Sequence, residues 1–176
     1  MNGAPPIKSV IAAVLRLDRG ERARLRRGAS ETELLLIPAL GGLLGYIEGD
    51  SDQDELRGRY LFTARVAAII RSNESDRSDE GDHPGTALAR AGFHERRMSR
   101  LLGSEGEVLE GRLLVAARFL ASKRERCAIS PFFWLFNEAA KGVGDRVRAE
   151  WARRYGHEKN LQEQRERRRA PDAAMS

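Results

Sequence analysis

Arginine is the residue type through which this chain could do chemistry. The stretch Gly92 to Leu102, G-F-H-E-R-R-M-S-R-L-L, holds three guanidinium groups and only one acid, Glu95. Read at 100° per residue, it places Met98, Leu101 and Leu102 on one face. Arg96 and Arg100 fall opposite, with Arg97 on their flank. A guanidinium is permanently charged and presents a planar fork of donors, a shape that matches phosphate oxygens. Alone, such a triplet reads as the solvated face of an amphipathic helix. The pattern recurs, however, at Arg22, Arg26 and Arg27, at Lys123, Arg124 and Arg126, and at Lys141, Arg146 and Arg148. With 27 arginines against four lysines, these groups suit phosphate tracking better than simple solubility. The candidate nucleic-acid contacts are Arg22, Arg26, Arg27, Arg96, Arg97, Arg100, Arg124, Arg126, Lys141 and Arg146.

Other chemistries find little support. The run Asp50-x-Asp52-x-Asp54 departs from a calcium loop, because Glu55 stands where a glycine is due and Leu61 where a ligand acid is due. The same acids could hold magnesium in a nuclease, but no second acidic motif accompanies them. His83, His94 and His157 are scattered, with no pair at helical ligand spacing. Arg124 and Arg126 flank Cys127 and could lower its pKa, yet a buried, idle thiol is the simpler reading. Neither G-x-x-x-x-G-K-[ST] nor G-x-G-x-x-G occurs. Phe132, Phe133, Trp134, Leu135 and Phe136 could stack bases, but a consecutive aromatic run must mostly be core. The sequence thus predicts a non-enzymatic protein with no cofactor and no metal.

Charge supports a binding role. The net charge is +5 and the pI about 9.9, which favours an acidic partner. The excess lies in the second half: residues 1–90 carry 13 Lys and Arg against 14 Asp and Glu, residues 91–176 carry 18 against 12. A single cysteine excludes an internal disulfide and fits a reducing cytoplasm. The longest apolar runs are too short to span a membrane, and no secretory signal opens the chain.

The elements that must position these arginines read as helices throughout. Ile7, Val10, Ile11, Val14 and Leu15 recur at helical spacing after Pro5-Pro6. Asp18-x-x-Glu21 opens a short basic helix from Arg19 to Arg27. Ser30-x-x-Glu33 opens the next, and Pro38 restarts the chain. Gly41-Gly42 predicts a break there, or a close approach to a neighbour. Gly49 to Glu55 is expected to be an acidic loop. Leu56 to Ile70 is expected to be a helix buried around much of its girth. Thr86 is expected to cap a short helix closed by Gly92, and Ser104-x-x-Glu107 to box the start of another. In that helix Leu109, Leu113, Ala116 and Leu120 form one buried row, and Val108, Val115 and Phe119 a second. Ser130-Pro131 and Gly144-Asp145 begin the last two helices.

The fold class predicted is all-α, about eight or nine helices, as two packed bundles or one elongated bundle. The expected layout is an N-terminal bundle over 1–72, an acidic linker over 73–85 and a C-terminal bundle over 86–157. Beyond these, 158–176 is expected to be a frayed helix or a basic, disordered tail.

Several stretches resemble one family in order and spacing. They are L-D-R-G-E-R-A-R-L-R-R from Leu17, E-L with I-P-A-L between Glu33 and Leu40, and T-A-L-A-R-A-G-F-H-E-R-R-M-S-R-L-L at Thr86 to Leu102. The helix ending A-A-R-F-L and D-R-V-R-A-E-W-A-R-R-Y at Asp145 to Tyr155 complete the set. Together they resemble the CasB family, the small subunit of Cascade, the type I-E CRISPR surveillance complex. The resemblance spans roughly Ile7 to His157. It implies a non-catalytic all-α subunit present as two copies along the belly of the complex. Its implied partners are the large subunit, the backbone subunits that hold the guide RNA, the guide RNA itself, and the target DNA strands. It implies nucleic-acid contact at Arg26 or Arg27 and at Arg96 or Arg97. Residues 72–85 and the stretch after Glu158 have no counterpart in the resemblance.

Two other classes remain open on residues alone. One is a helix-turn-helix regulator that reads DNA with Arg19 to Arg27, although an apolar run follows where a groove-reading helix would be needed. The other is a metal-dependent nuclease built on Asp50, Asp52 and Asp54.

Overall fold

A computed structural model describes residues 6–45, 47, 51–71, 81–140 and 144–173. These form ten helices, nine of them seven residues or longer, with no strand among the described residues. The all-α expectation holds, and the number of helices is close to that predicted.

In the first half, α1 (Ile7–Arg16) buries Val10, Ile11, Val14 and Leu15, the stripe its spacing requires. The capping box predicted for α2 (Arg19–Arg27) forms: the Glu21 N–H donates to Asp18 at 2.8 Å, and the Glu21 carboxylate accepts from the Asp18 N–H. Gly28 closes α2 in the left-handed region at φ 78°, where a side chain would be strained. Helix α3 (Glu31–Leu35) carries the second predicted box, between Ser30 and Glu33. Helix α4 (Pro38–Leu44) starts on its proline and runs unbroken through both glycines. Gly41 is the close approach: a Cβ there would lie 2.3 Å from the Leu35 carbonyl oxygen, whereas Gly42 faces open space.

Helix α5 (Ser51–Ile70) organises the molecule. Its first turn takes in Asp52 and Asp54, so residues 51–55 are helix rather than the expected loop. Acids at a helix N-terminus complement its partial positive charge, which is why this acidic stretch can be helical. Gly49 and Asp50 lie outside the described residues. From Arg59 to Ile70 nearly every side chain is buried, because α5 packs against α1, α2 and α3 and also against two helices of the second half. Those are α8 (Gly106–Lys123) and α9 (Ser130–Ala140). Tyr60 stacks on Phe133 at 5.1 Å between ring centres, and Phe62 meets Phe136 at 4.6 Å. Residues of both halves join one contiguous hydrophobic core.

The remaining helices are α6 (Pro84–Arg90), α7 (Glu95–Leu102) and α10 (Asp145–Ala173). Helix α10 lies against α6, α7 and α9. The stretch expected as a frayed helix or disordered tail is helical as far as Ala173. Its sequence, rich in Glu, Gln, Arg and Lys, favours that outcome. Most of the predicted linker, residues 72–80, lies outside the described residues.

Three local expectations need correction. Helix α6 is capped by His83, not Thr86: the Gly85 N–H donates to His83 Nδ1 at 3.1 Å. Ser104 forms no capping box, since the α8 cap is Glu105 and makes no side-chain bond. Instead the Ser104 hydroxyl donates back to the Arg100 carbonyl. The second apolar row of α8 is only partly covered: Phe119 is half-buried against Phe93, but Val108 is 57% exposed and Val115 50%, while Leu109, Leu113, Ala116 and Leu120 form the core face. A second row is buried only where a second neighbour packs, and α5, α7 and α9 all leave that side open.

Candidate nucleic-acid interface

Helix α7 presents its arginines as the periodicity requires. Met98 and Leu101 are buried, Leu102 is half-buried, and Arg96, Arg97 and Arg100 are exposed. None of the three guanidinium groups makes an ion pair or hydrogen bond among the described residues. Their charge therefore has no direct partner among the described residues.

The helix is fastened at both ends. At its start, His94 Nδ1 accepts from the Arg96 N–H at 3.1 Å, which leaves the Arg96 side chain outward. Just before it, the Phe93 carbonyl accepts from the buried Tyr155 hydroxyl of α10. Burial, with Glu95 nearby, raises the Tyr155 pKa, so the phenol stays a donor. At its end, the Leu102 and Ser104 carbonyls accept from the Arg148 guanidinium at 2.7 and 2.9 Å. The Arg112 guanidinium donates to the Arg100 carbonyl and to the Ser104 hydroxyl. A helix C-terminus leaves carbonyls without partners, and two arginines from α8 and α10 supply them. Arg148, grouped by sequence with the phosphate-facing residues, is thus spent on structure.

The other groups sit on separate supports. Helix α2 buries only Leu25, on α5. Arg22 and Arg26 are half-buried, and Arg27 is exposed beside Arg24. A shallow cleft there is lined by Arg24, Arg27, Gly28, Ala29 and Leu36, and also by the acid Glu33. Arg124 ends α8 in the left-handed conformation, at φ 56°. With the exposed Arg126 it borders a cleft that also holds Arg90, already paired with Asp82 at 2.8 Å. Arg146 is exposed in the first turn of α10 and lines a different cavity. Lys141 lies outside the described residues. These arginine groups stand on separate helices and border separate clefts.

Some arginines of consequence were missed from the sequence. Arg59 on α5 and Arg71 just past its end are buried, with Arg65 half-buried between them. Arg59 pairs with Glu55 and Asn137, and Arg71 donates to the Cys127 carbonyl at 3.1 Å. They fall at intervals of six along the chain, so they share no simple helical stripe, and a charge inside a helix is read by default as a surface charge. Cys127 is buried, as expected. Asp54 of the acidic run pairs with Arg57 at 2.9 Å.

Comparison with known proteins identifies the class. A family model, CRISPR-associated protein Cse2, matches residues 21–155. That interval takes in most of α2, all of α3 to α9 and the first third of α10. The chain belongs to the Cse2 family, also called CasB, the small subunit of the type I-E CRISPR complex Cascade. The resemblance drawn from the sequence motifs is therefore correct. No curated protein and no solved structure matches the chain. None of the described helices is long and apolar enough to cross a membrane.

Proposed function

We propose that this chain is a non-catalytic small subunit of a type I-E RNA-guided surveillance complex in the cytoplasm. In this reading it holds nucleic-acid backbone without sequence preference and stabilises the opened strands of the target during antiviral defence. Its partners are the large subunit, the subunits along the guide RNA, a second copy of itself, the guide RNA and the target DNA. The observation that carries the reading is the set of exposed arginines on α7 with no acidic partner among the described residues, on a helix tied down at both ends.

The physics needs little more. A guide–target heteroduplex is about as stable as the DNA duplex it replaces, so modest protein contacts tip the exchange. Contacts to phosphate position a strand and carry no sequence information. The reading of α2 as a groove reader gains nothing here. The helix after it is five residues long and opens with Glu31 and Glu33, which phosphate would repel.

The test is the salt dependence of target binding by the assembled complex. Arg27→Ala with Arg97→Ala should weaken binding across unrelated target sequences. Each lost phosphate contact should flatten the slope of log K against log salt by about 0.7–0.9. An unchanged slope would overturn the assignment of these two residues.

A further inference from the structure

Where the first turns of α9 and α10 meet the start of α6, a cavity of about 320 Å³ opens to solvent. Trp134, Arg146, Glu150, His83 and Trp151 line it. We propose that this cavity receives one unstacked nucleobase of a single strand, with the base on the Trp134 ring and the adjoining phosphate on Arg146. The inference rests on the nucleic-acid reading above and assigns that reading a base-contacting site.

Three observations converge on that occupant. Trp134 is 46% exposed, unlike Phe132, Phe133 and Leu135 beside it, which are buried. Its ring meets the Phe133 ring at a steep angle, 5.1 Å between centres, a contact that limits its orientation. An exposed, oriented indole is a stacking platform, and stacking is open to any base because every base has a π-face. The cavity lies at the small end of ligand pockets, about 300–1,000 Å³. It suits a single base and is too small for a helix.

Second, one residue of the lining, Trp151, carries an unmet donor behind the cavity surface. Trp151 is fully buried, and its indole N–H has no hydrogen-bond partner among the described residues. A buried donor left without an acceptor costs free energy, and such a group in a native fold calls for a partner. His83 adds a second donor: its Nδ1 accepts from the Gly85 N–H, so in the neutral ring the proton sits on Nε2. Burial lowers the His83 pKa to about 4, which keeps that ring neutral near pH 7.

Third, the rim has both signs of charge in useful places. Arg146 is exposed and makes no ion pair among the described residues. Glu150 is bound by Arg153 and Arg154, which hold its pKa down to about 2. It is therefore a permanent acceptor for an amino or imino N–H of a base, while its own charge is offset against a nearby phosphate. A donor, an acceptor, a stacking ring and a cation thus border one base-sized space. A base inside a duplex could not enter it, so the site selects single strands.

The test uses the full chain and a 20-nucleotide single-stranded DNA, alongside the same backbone with abasic sugars. Trp134 and Trp151 are the only two tryptophans, so intrinsic fluorescence reports directly on the cavity. Base-bearing strand should quench it and abasic strand should not. Trp134→Ala should weaken base-bearing strand by roughly 5–150-fold, as expected for one lost stacking contact, and leave abasic strand and duplex unchanged. Trp134→Phe should keep most of the affinity. A circular dichroism melt establishes that each variant is folded. If Trp134→Ala binds both strands as the parent chain does, the base site is wrong and backbone binding stands. If that variant instead loses only its assembly with the other Cascade subunits, the cavity docks protein and the proposal is overturned. If the parent chain binds neither strand, both readings fail.

Discussion

The guanidinium of Arg148 donates to the carbonyl of Leu102 at 2.7 Å, 46 positions back along the chain. That bond, with its neighbour to Ser104, fastens α10 to the end of the arginine-bearing helix α7. Arg148→Ala would leave two partly buried carbonyls without this donor. The expected loss is about 1–3 kcal/mol, read as a lower urea midpoint at unchanged slope. Arg148→Lys should recover only part of it, since an ammonium cannot fork across two carbonyls.

The exposed arginines of α7 should behave in the opposite way. Arg96→Ala, Arg97→Ala and Arg100→Ala remove no hydrogen bond or ion pair among the described residues, so each should shift stability by less than about 0.5 kcal/mol. The same variants should lower affinity for nucleic acid at low salt, with the differences shrinking as salt rises. Paired thermal melts and salt titrations on each variant separate the two effects.

The two glycines of α4 make a matched pair. Gly41→Ala places a methyl 2.3 Å from the Leu35 carbonyl oxygen, a contact that forces backbone to move. Gly42→Ala meets nothing within 4 Å and should stabilise the helix by up to about 1 kcal/mol. Denaturant midpoints of the two variants should therefore move in opposite directions.

His83 gives the fold a dependence on acid. Burial depresses its pKa from 6.5 to about 4, so between these values the unfolded chain binds the extra proton. The stability it contributes is fully present above about pH 6.5 and is lost as pH falls through about 4. The charged groups that act on it are Glu150, Arg153 and Arg154, and Glu150 stays ionised over this window. His83→Asn keeps an acceptor at the α6 cap but cannot titrate. Its melting temperature should fall less than that of the parent chain between pH 6.5 and 4.

Much of the architecture was written in local patterns. The capping boxes at Asp18 and Ser30, the Met98–Leu101 face and the Leu109–Leu120 row follow from rules that reach only a few residues. Features set by distant neighbours were not legible in that way. Val108 and Val115 have the spacing of a core row, yet no helix arrives to cover them. Ser104 has the spacing of a cap, but α8 starts one residue later, from Glu105, and the Ser104 oxygen accepts from Arg112 of α8 instead. His83 displaces Thr86 as a cap because its ring is also held against Trp151, 5.5 Å between ring centres and 68 residues away. Of the candidate interface, the exposed arginines of α7 followed from periodicity. The separation of structural Arg148 from exposed Arg146 did not, since it depends on where α7 ends in space.

The packing of α5 against both halves bears on how the polypeptide could be divided. Tyr60 and Phe62 find their ring partners, Phe133 and Phe136, across residues 72–80. Two polypeptides, one ending and the other beginning within that interval, would each expose half of a shared apolar face. Co-produced, they should find each other and reconstitute a single particle without a peptide bond between them; produced singly, each should be prone to aggregate.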